Sequence, residues 1–227
     1  MIYSAIAAIL VLSGNVVAPP PNESTIDNPC RAVFSSHPIF PTLSSSLFEI
    51  IGEINMANYS AEILKTTLTT PAYIPEDALG RYDLDSMHVP NLPLWEERDN
   101  VNVTVNDMEW FLRQAYRDIS IHIIFVTEAL REQTSSGVAR LLVLEFTDVR
   151  RFFYNLLCKM DTLIKSRGIS LTDYEDESVL PAVFSVRRRE VMRFMKHYVH
   201  AKDVMTFLTN LKPGFVQLFD EVQGSLP

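Results

Sequence analysis

His197 and His200 stand three residues apart and could turn two imidazoles toward one metal ion. The carboxylate–histidine patterns of helical metal sites, such as His-Glu-x-x-His, are absent, and His122 falls on an apolar stripe. These side chains therefore read as surface or core histidines. The two thiols, Cys30 and Cys158, are too few to close a structural zinc site and too far apart for a Cys-x-x-Cys redox pair. In an oxidising compartment they read as one disulfide, with a lone free surface Cys158 as the alternative. Gly-x-Ser-x-Gly, the phosphate-binding loop and the dinucleotide fingerprint are also missing, so no residue set for catalysis stands out. We expect no enzyme, no metal and no cofactor.

Composition narrows the partners. The 227 residues carry a net charge of −8, with 47% hydrophobic and 21% charged side chains. A surplus of acid argues against nucleic acid, because phosphate neutralisation needs excess Lys and Arg. The uncharged apolar run Ile2–Leu12, followed by Val16 and Ala18, reads as a signal peptide over 1–18, leaving 19–227 as one secreted domain. No membrane insertion is expected after its cleavage. Sequons at Asn22, Asn58 and Asn102 agree with an extracellular glycoprotein, although Asn58 falls inside an expected helix.

The elements that must position these residues are helical. Gly is scarce, at 7, and Asn-Gly and Asp-Gly hairpin turns are missing. Leu43, Leu47, Ile50, Ile54, Ala57, Ala61, Leu64 and Leu68 alternate steps of four and three, predicting a helix over about 41–68 that begins at Pro41. A second, over about 104–131, is capped by Thr104 and striped by Met108, Leu112, Ala115, Ile119, His122, Val126 and Ala129, broadened by Phe111 and Ile123. A third, over about 137–166, carries Leu142, Phe146, Val149, Phe153, Leu156, Met160 and Leu163 and stops at Arg167-Gly168. The fourth, over about 182–211, carries Val191, Phe194, Tyr198, Ala201, Met205 and Leu208 and is expected to end at Pro213. Connections that run long, short, long suit an all-α, long-chain four-helix bundle of up-up-down-down topology with two long crossover loops. Cys158 falls on the outer flank of the third helix, so a bond to Cys30 would strap the N-terminal segment across the bundle.

The stretch from Val183 to Leu208, VFSVRRREVMRFMKHYVHAKDVMTFL, resembles the last helix of the leukaemia inhibitory factor, ciliary neurotrophic factor and cardiotrophin branch of the interleukin-6 family. Those cytokines open that helix with Phe-x-x-Lys, and this chain has Phe184-Ser185-Val186-Arg187. A disulfide from the N-terminal segment to the third helix is also a habit of the family, and Cys30 and Cys158 sit where it would require them. The resemblance implies a secreted cytokine with growth factor activity. It implies that Phe184, Arg187 and Arg188 engage the leukaemia-inhibitory-factor receptor. The face of the first and third helices, with Glu49, Glu53, Thr147, Arg150, Arg151 and Tyr154, would engage a shared signal-transducing receptor. Bringing those class I receptors together would start Janus kinase/STAT signalling from a monomeric ligand. Arg187 in place of Lys keeps the charge but changes its shape, which bears on the choice of receptor. The basic residues Arg188, Arg189, Arg193 and Lys196 read either as a steering face or as an ordinary solvated helix face. A growth-hormone- or leptin-like hormone and a secreted helical lipid carrier are the other readings of these stripes.

Overall fold

A computed structural model describes Cys30 and residues 41–95, 103–136, 140–171, 177–181 and 190–224. Every regular element among them is helical: α1 (Leu43–Leu68), α2 (Glu76–Arg81), α3 (Met108–Ser136), α4 (Arg140–Ser166) and α5 (Glu190–Gly224), with 3-10 turns at Val105–Asp107 and Glu177–Val179. The expected leader over 1–18 and the sequons at Asn22 and Asn102 lie outside the described residues. Among the described residues, no helix is long and apolar enough to cross a membrane.

Helix ends follow local chemistry. Thr42, not Pro41, opens α1: its hydroxyl accepts the Ser45 N–H at 3.2 Å, which satisfies one of the free amides of the first turn. Thr104 donates its N–H and its hydroxyl to the Asp107 carboxylate, at 3.2 and 2.7 Å, and a 3-10 turn leads into α3. At the end of α4, Gly168 takes φ +67°, a backbone state that costs little without a Cβ, and Ile169 N–H turns back to Ile164 O at 3.1 Å. Pro213 does not end α5, which continues to Gly224. A proline removes only its own N–H bond and strains one turn, a cost of about 3 kcal/mol. Burial of Phe215 and Leu218 beyond it offsets that cost, with Phe215 set edge-on against Phe111 at 4.9 Å.

The four long helices share one core, in which Phe111, Phe125, Phe146, Phe153, Phe207 and Phe215 are fully buried. The predicted stripe of α4 is buried throughout, as are those of α1 and α3 apart from the half-buried Leu43 and Met108. On α5, Val191 is exposed and Met205 half-buried, while Val204, Phe207 and Leu211 join the core. Cross-contacts give the directions of neighbouring helices. Lys159, late in α4, pairs with Glu49, early in α1, while Thr67 and Glu145 bond at the other end. Lys65 lies over the Tyr198 ring and Phe48 meets Phe219, so α1 and α5 also run antiparallel. Glu132 pairs with Lys196, and Phe111 with Phe215, so α3 and α5 do the same.

Residues 85–95 and 103–105, between α2 and α3, are stitched along the outside of α5. Tyr198 donates its hydroxyl to Asp85 at 2.9 Å. Lys202 reaches the carbonyls of Asp85 and Met87. The carboxylate of Asp203 is fully buried, accepts the Val89 N–H at 2.7 Å and lies 2.9 Å from His88 Nδ1. Asn210 bonds Leu94 O at 3.3 Å, and Trp95 inserts its ring edge-on between Phe111 and Phe207. Farther down, Gln217 accepts the Val103 N–H and Glu221 the Val105 N–H.

Candidate receptor-binding surfaces and the buried histidines

Residues 182–189 lie outside the described set, and with them Phe184, Arg187, Arg188 and Arg189. The helix they were expected to open is described from Glu190. Its next basic residues do not form the solvated face read from the sequence. Lys196 is nearly buried, with Nζ 2.6 Å from Glu132 Oε2 on α3. Arg193 is likewise mostly covered, sits over the Phe194 ring and lies 3.7 Å from Glu190. Lys196 ties α5 to α3, whereas Arg193 pairs with residues of α5 itself.

The α1/α4 face brings the other expected residues together in part. Lys159 stands between Glu49 and Glu53, at 2.8 and 3.8 Å. It was not among the residues singled out from the sequence, because its partners lie more than 100 positions away. Arg151 pairs with Asp148 at 3.0 Å and lies over the Phe152 ring. Arg150 lies over Tyr154, which packs against the core, and Thr147 donates its hydroxyl to Val143 O. Glu49 and Arg151 are exposed, whereas Glu53, Thr147, Arg150 and Tyr154 are half-buried. Asn58 lies mid-helix in α1 with its side-chain oxygen buried.

Cys30 and Cys158 are joined by a disulfide with Cα atoms 5.2 Å apart, and Cys30 is buried. The bond fixes a residue that precedes α1 by 13 positions to the flank of α4.

The histidines are core residues. His122, His197 and His200 are all buried. His122 stacks on Phe153 and touches Phe207, donating Nε2–H to Pro93 O at 2.9 Å. His197 meets Phe146 edge-on and places Nε2 3.2 Å from Glu132. His200 lies against Phe125. Removal from water disfavours the charged ring. Burial pushes His122 down to about 3 against the opposing Pro93 bond. It pushes His197 down to about 4 against the pull of Glu132. His200 falls well below its ordinary value through burial and its neighbours His122, His197 and Lys196. Burial would raise the Glu132 carboxyl, but its bonds to His197 and Lys196 outweigh that and hold it at about 2. Among the described residues, no group of three or more His, Cys, Asp or Glu side chains is arranged to hold a metal.

No protein family, no curated protein and no solved structure matches the chain.

Proposed function

We propose that the protein is a secreted helical cytokine that assembles class I receptors through the start of its last helix and through the α1/α4 face. The observation that carries the reading is the disulfide from Cys30 to the outer flank of α4, in an all-helical bundle whose neighbouring long helices run antiparallel. It is the strap that the resemblance to the leukaemia inhibitory factor branch requires. Antiparallel pairing of α1 with α4 and with α5 supports an up-up-down-down order. So do the contacts of Asp85 with Tyr198 and of Val105 with Glu221, which lie toward opposite ends of α5 and set the start of α3 at the same end as that of α1.

In this reading Phe184 is an aromatic anchor for a receptor pocket and Arg187, one turn on, adds charge complementarity. Glu49, Lys159 and Arg151 present a mixed-charge rim on the second face. The histidines have no part in binding, since they lie inside the bundle. Binding of the purified protein to the ectodomain of the leukaemia-inhibitory-factor receptor tests the proposal. Phe184→Ala is expected to weaken it by about 2 kcal/mol, roughly 30-fold, with helix content unchanged. Binding that ignores the substitution moves the site elsewhere. Absence of binding, with lipid co-purifying by mass spectrometry, favours the carrier reading instead.

A further inference from the structure

Three imidazoles line one seam inside the bundle, and part of its cover is a connecting segment rather than a helix. His122 of α3 and His197 and His200 of α5 are at most 1% exposed. His200 feels both of the others, so the rings follow one another along α5 from Phe207 toward Glu132. Glu132 on α3 and Lys196 and Arg193 on α5 act on His197, and Lys196 also acts on His200. The carboxylate of Glu132 is already paired with Lys196. From α4 the rings face Phe146 and Phe153, and α1 brings Lys65 over the ring of Tyr198, next to His197 in the chain.

His122 is the ring that touches the connecting segment. Pro93 O can only accept, so the contact at 2.9 Å makes Nε2 the N–H and leaves Nδ1 as a buried acceptor without a hydrogen-bond partner. A bare lone pair is tolerated between Phe153 and Phe207, whereas a second N–H carrying charge is costly there. Two residues beyond Pro93, the Trp95 ring rests edge-on against the same Phe207. Residues 92–95 are held by point contacts, such as Asn210 with Leu94 O, while α3, α4 and α5 carry continuous helical hydrogen bonds. Moving that short piece aside brings water to His122 with the least structure broken. The anchor before it behaves differently. His88 lies 2.9 Å from the Asp203 carboxylate that also holds Val89 N–H, so a protonated His88 pairs with it and keeps that end in place.

We infer that His122 is an acid-sensitive latch, whose protonation releases residues 92–95 from α3 and α5 while the long helices stay formed. At neutral pH the segment and the bundle unfold together, and acid separates them. The sign follows from burial. The closed form holds the His122 ring down at about 3, against about 6.5 once wetted, so closure is fully favoured above pH 6.5 and weakens as pH falls. From this ring alone the ratio of released to closed protein rises about tenfold for each pH unit below 6.5. His200 and His197, reached through the same opening, add to that rise. The inference rests on the α3/α5 seam and is independent of the receptor reading.

Trp95 reports the latch. Trp110, the other tryptophan, is exposed, so in Trp110→Phe the emission reads Trp95 alone. Between pH 7 and pH 4 that emission is expected to move reversibly to the red, at a higher pH than any loss of far-UV helix signal. In NMR spectra of the same protein, the His122 ring C–H and the Trp95 indole N–H are expected to titrate with one midpoint, while the Val89 amide stays protected from exchange. His122→Gln, uncharged but still able to donate to Pro93 O, is expected to lower the emission midpoint by about half a pH unit or more. Helix and emission lost in a single transition overturn the inference, as does emission that stays that of a buried ring down to pH 4. So does a midpoint that ignores His122→Gln. Should that variant not fold at pH 7, the NMR titration decides, and a His122 ring that titrates apart from Trp95 overturns the latch.

Discussion

The outer faces of α5 and α1 solve the same problem in different ways. Both helices turn a row of large apolar residues into the core, and both carry more to bury on the far side. On α5 that side is covered from within the chain: residues 85–95 and 103–105 lie along it, held by Tyr198, Lys202, Asp203, Asn210, Gln217 and Glu221. On α1 Phe48, Met56, Tyr59 and Ile63 stay exposed, with Phe48 meeting Phe219 of α5. A strap so closely bonded to α5 is part of the fold, whereas the exposed stripe on α1 adds little to the stability of one chain.

The largest test of this contrast removes the apolar plug of the strap. Trp95→Ala should destabilise the protein by about 3–5 kcal/mol, because a buried ring wedged between Phe111 and Phe207 leaves a cavity. Chemical denaturation would read the loss. Asp203→Ala should cost about 2–3 kcal/mol in the same assay, since it strips the buried Val89 N–H of its charged acceptor. If either variant is as stable as the parent, the strap is not part of the cooperative fold.

On the inner side of α5 the prediction concerns pH. The folded pKa values of His122, His197 and His200 lie below the unfolded value of about 6.5, so the unfolded chain binds more protons as pH falls. Their neutral burial is therefore fully tolerated above about pH 6.5. Each takes away roughly 1.4 kcal/mol per pH unit below it, until its own folded pKa is reached. Glu132, held low by His197 and Lys196, adds a second loss as pH falls from about 4.5 toward 2. Thermal midpoints from pH 7 to pH 4 should drop steeply, and replacing His122 by Gln should flatten the slope. A flat profile in the parent would mean that the rings are charged or wet in the fold.

The smallest effect is expected on α1. Met56→Ser and Tyr59→Ser should change the stability of the single chain by no more than about 0.5 kcal/mol, as exposed substitutions generally do. A loss comparable to that of Asp203→Ala would mean that something in the same chain packs over the stripe.

Periodicity made the core legible before any coordinates. Leu47, Ile50, Ile54, Ala57, Ala61, Leu64 and Leu68 are buried as their spacing requires, and Gly168 ends α4 with the positive φ that its position suggests. Pro213 misled because a local rule met tertiary burial: Phe215 and Leu218 continue the apolar spacing past it, and the helix follows them. The strap on α5 was invisible for another reason. It is held by single polar pairs, Asp85 with Tyr198 or Val89 with Asp203, at separations beyond 110 residues, and such pairs leave no period in a sequence. The stripe on α1 was overlooked because Phe48, Met56, Tyr59 and Ile63 share a helix with a stronger apolar row, and only burial tells the two apart. Of the candidate receptor sites, the α1/α4 face gained a partner, Lys159, that linear spacing had no means to supply.

In the proposed reading this bundle is a receptor ligand. Its most direct test is STAT phosphorylation in cells that carry both the leukaemia-inhibitory-factor receptor and the shared signal-transducing receptor, titrated with the parent, Phe184→Ala and a variant reversing Glu49 and Lys159. A saturable response to the parent and at least a 10-fold loss of potency in Phe184→Ala are expected, with the α1/α4 variant binding the first receptor but signalling poorly. No response to the folded parent at about 10 µM, a concentration that would register even a weak ligand, would contradict it.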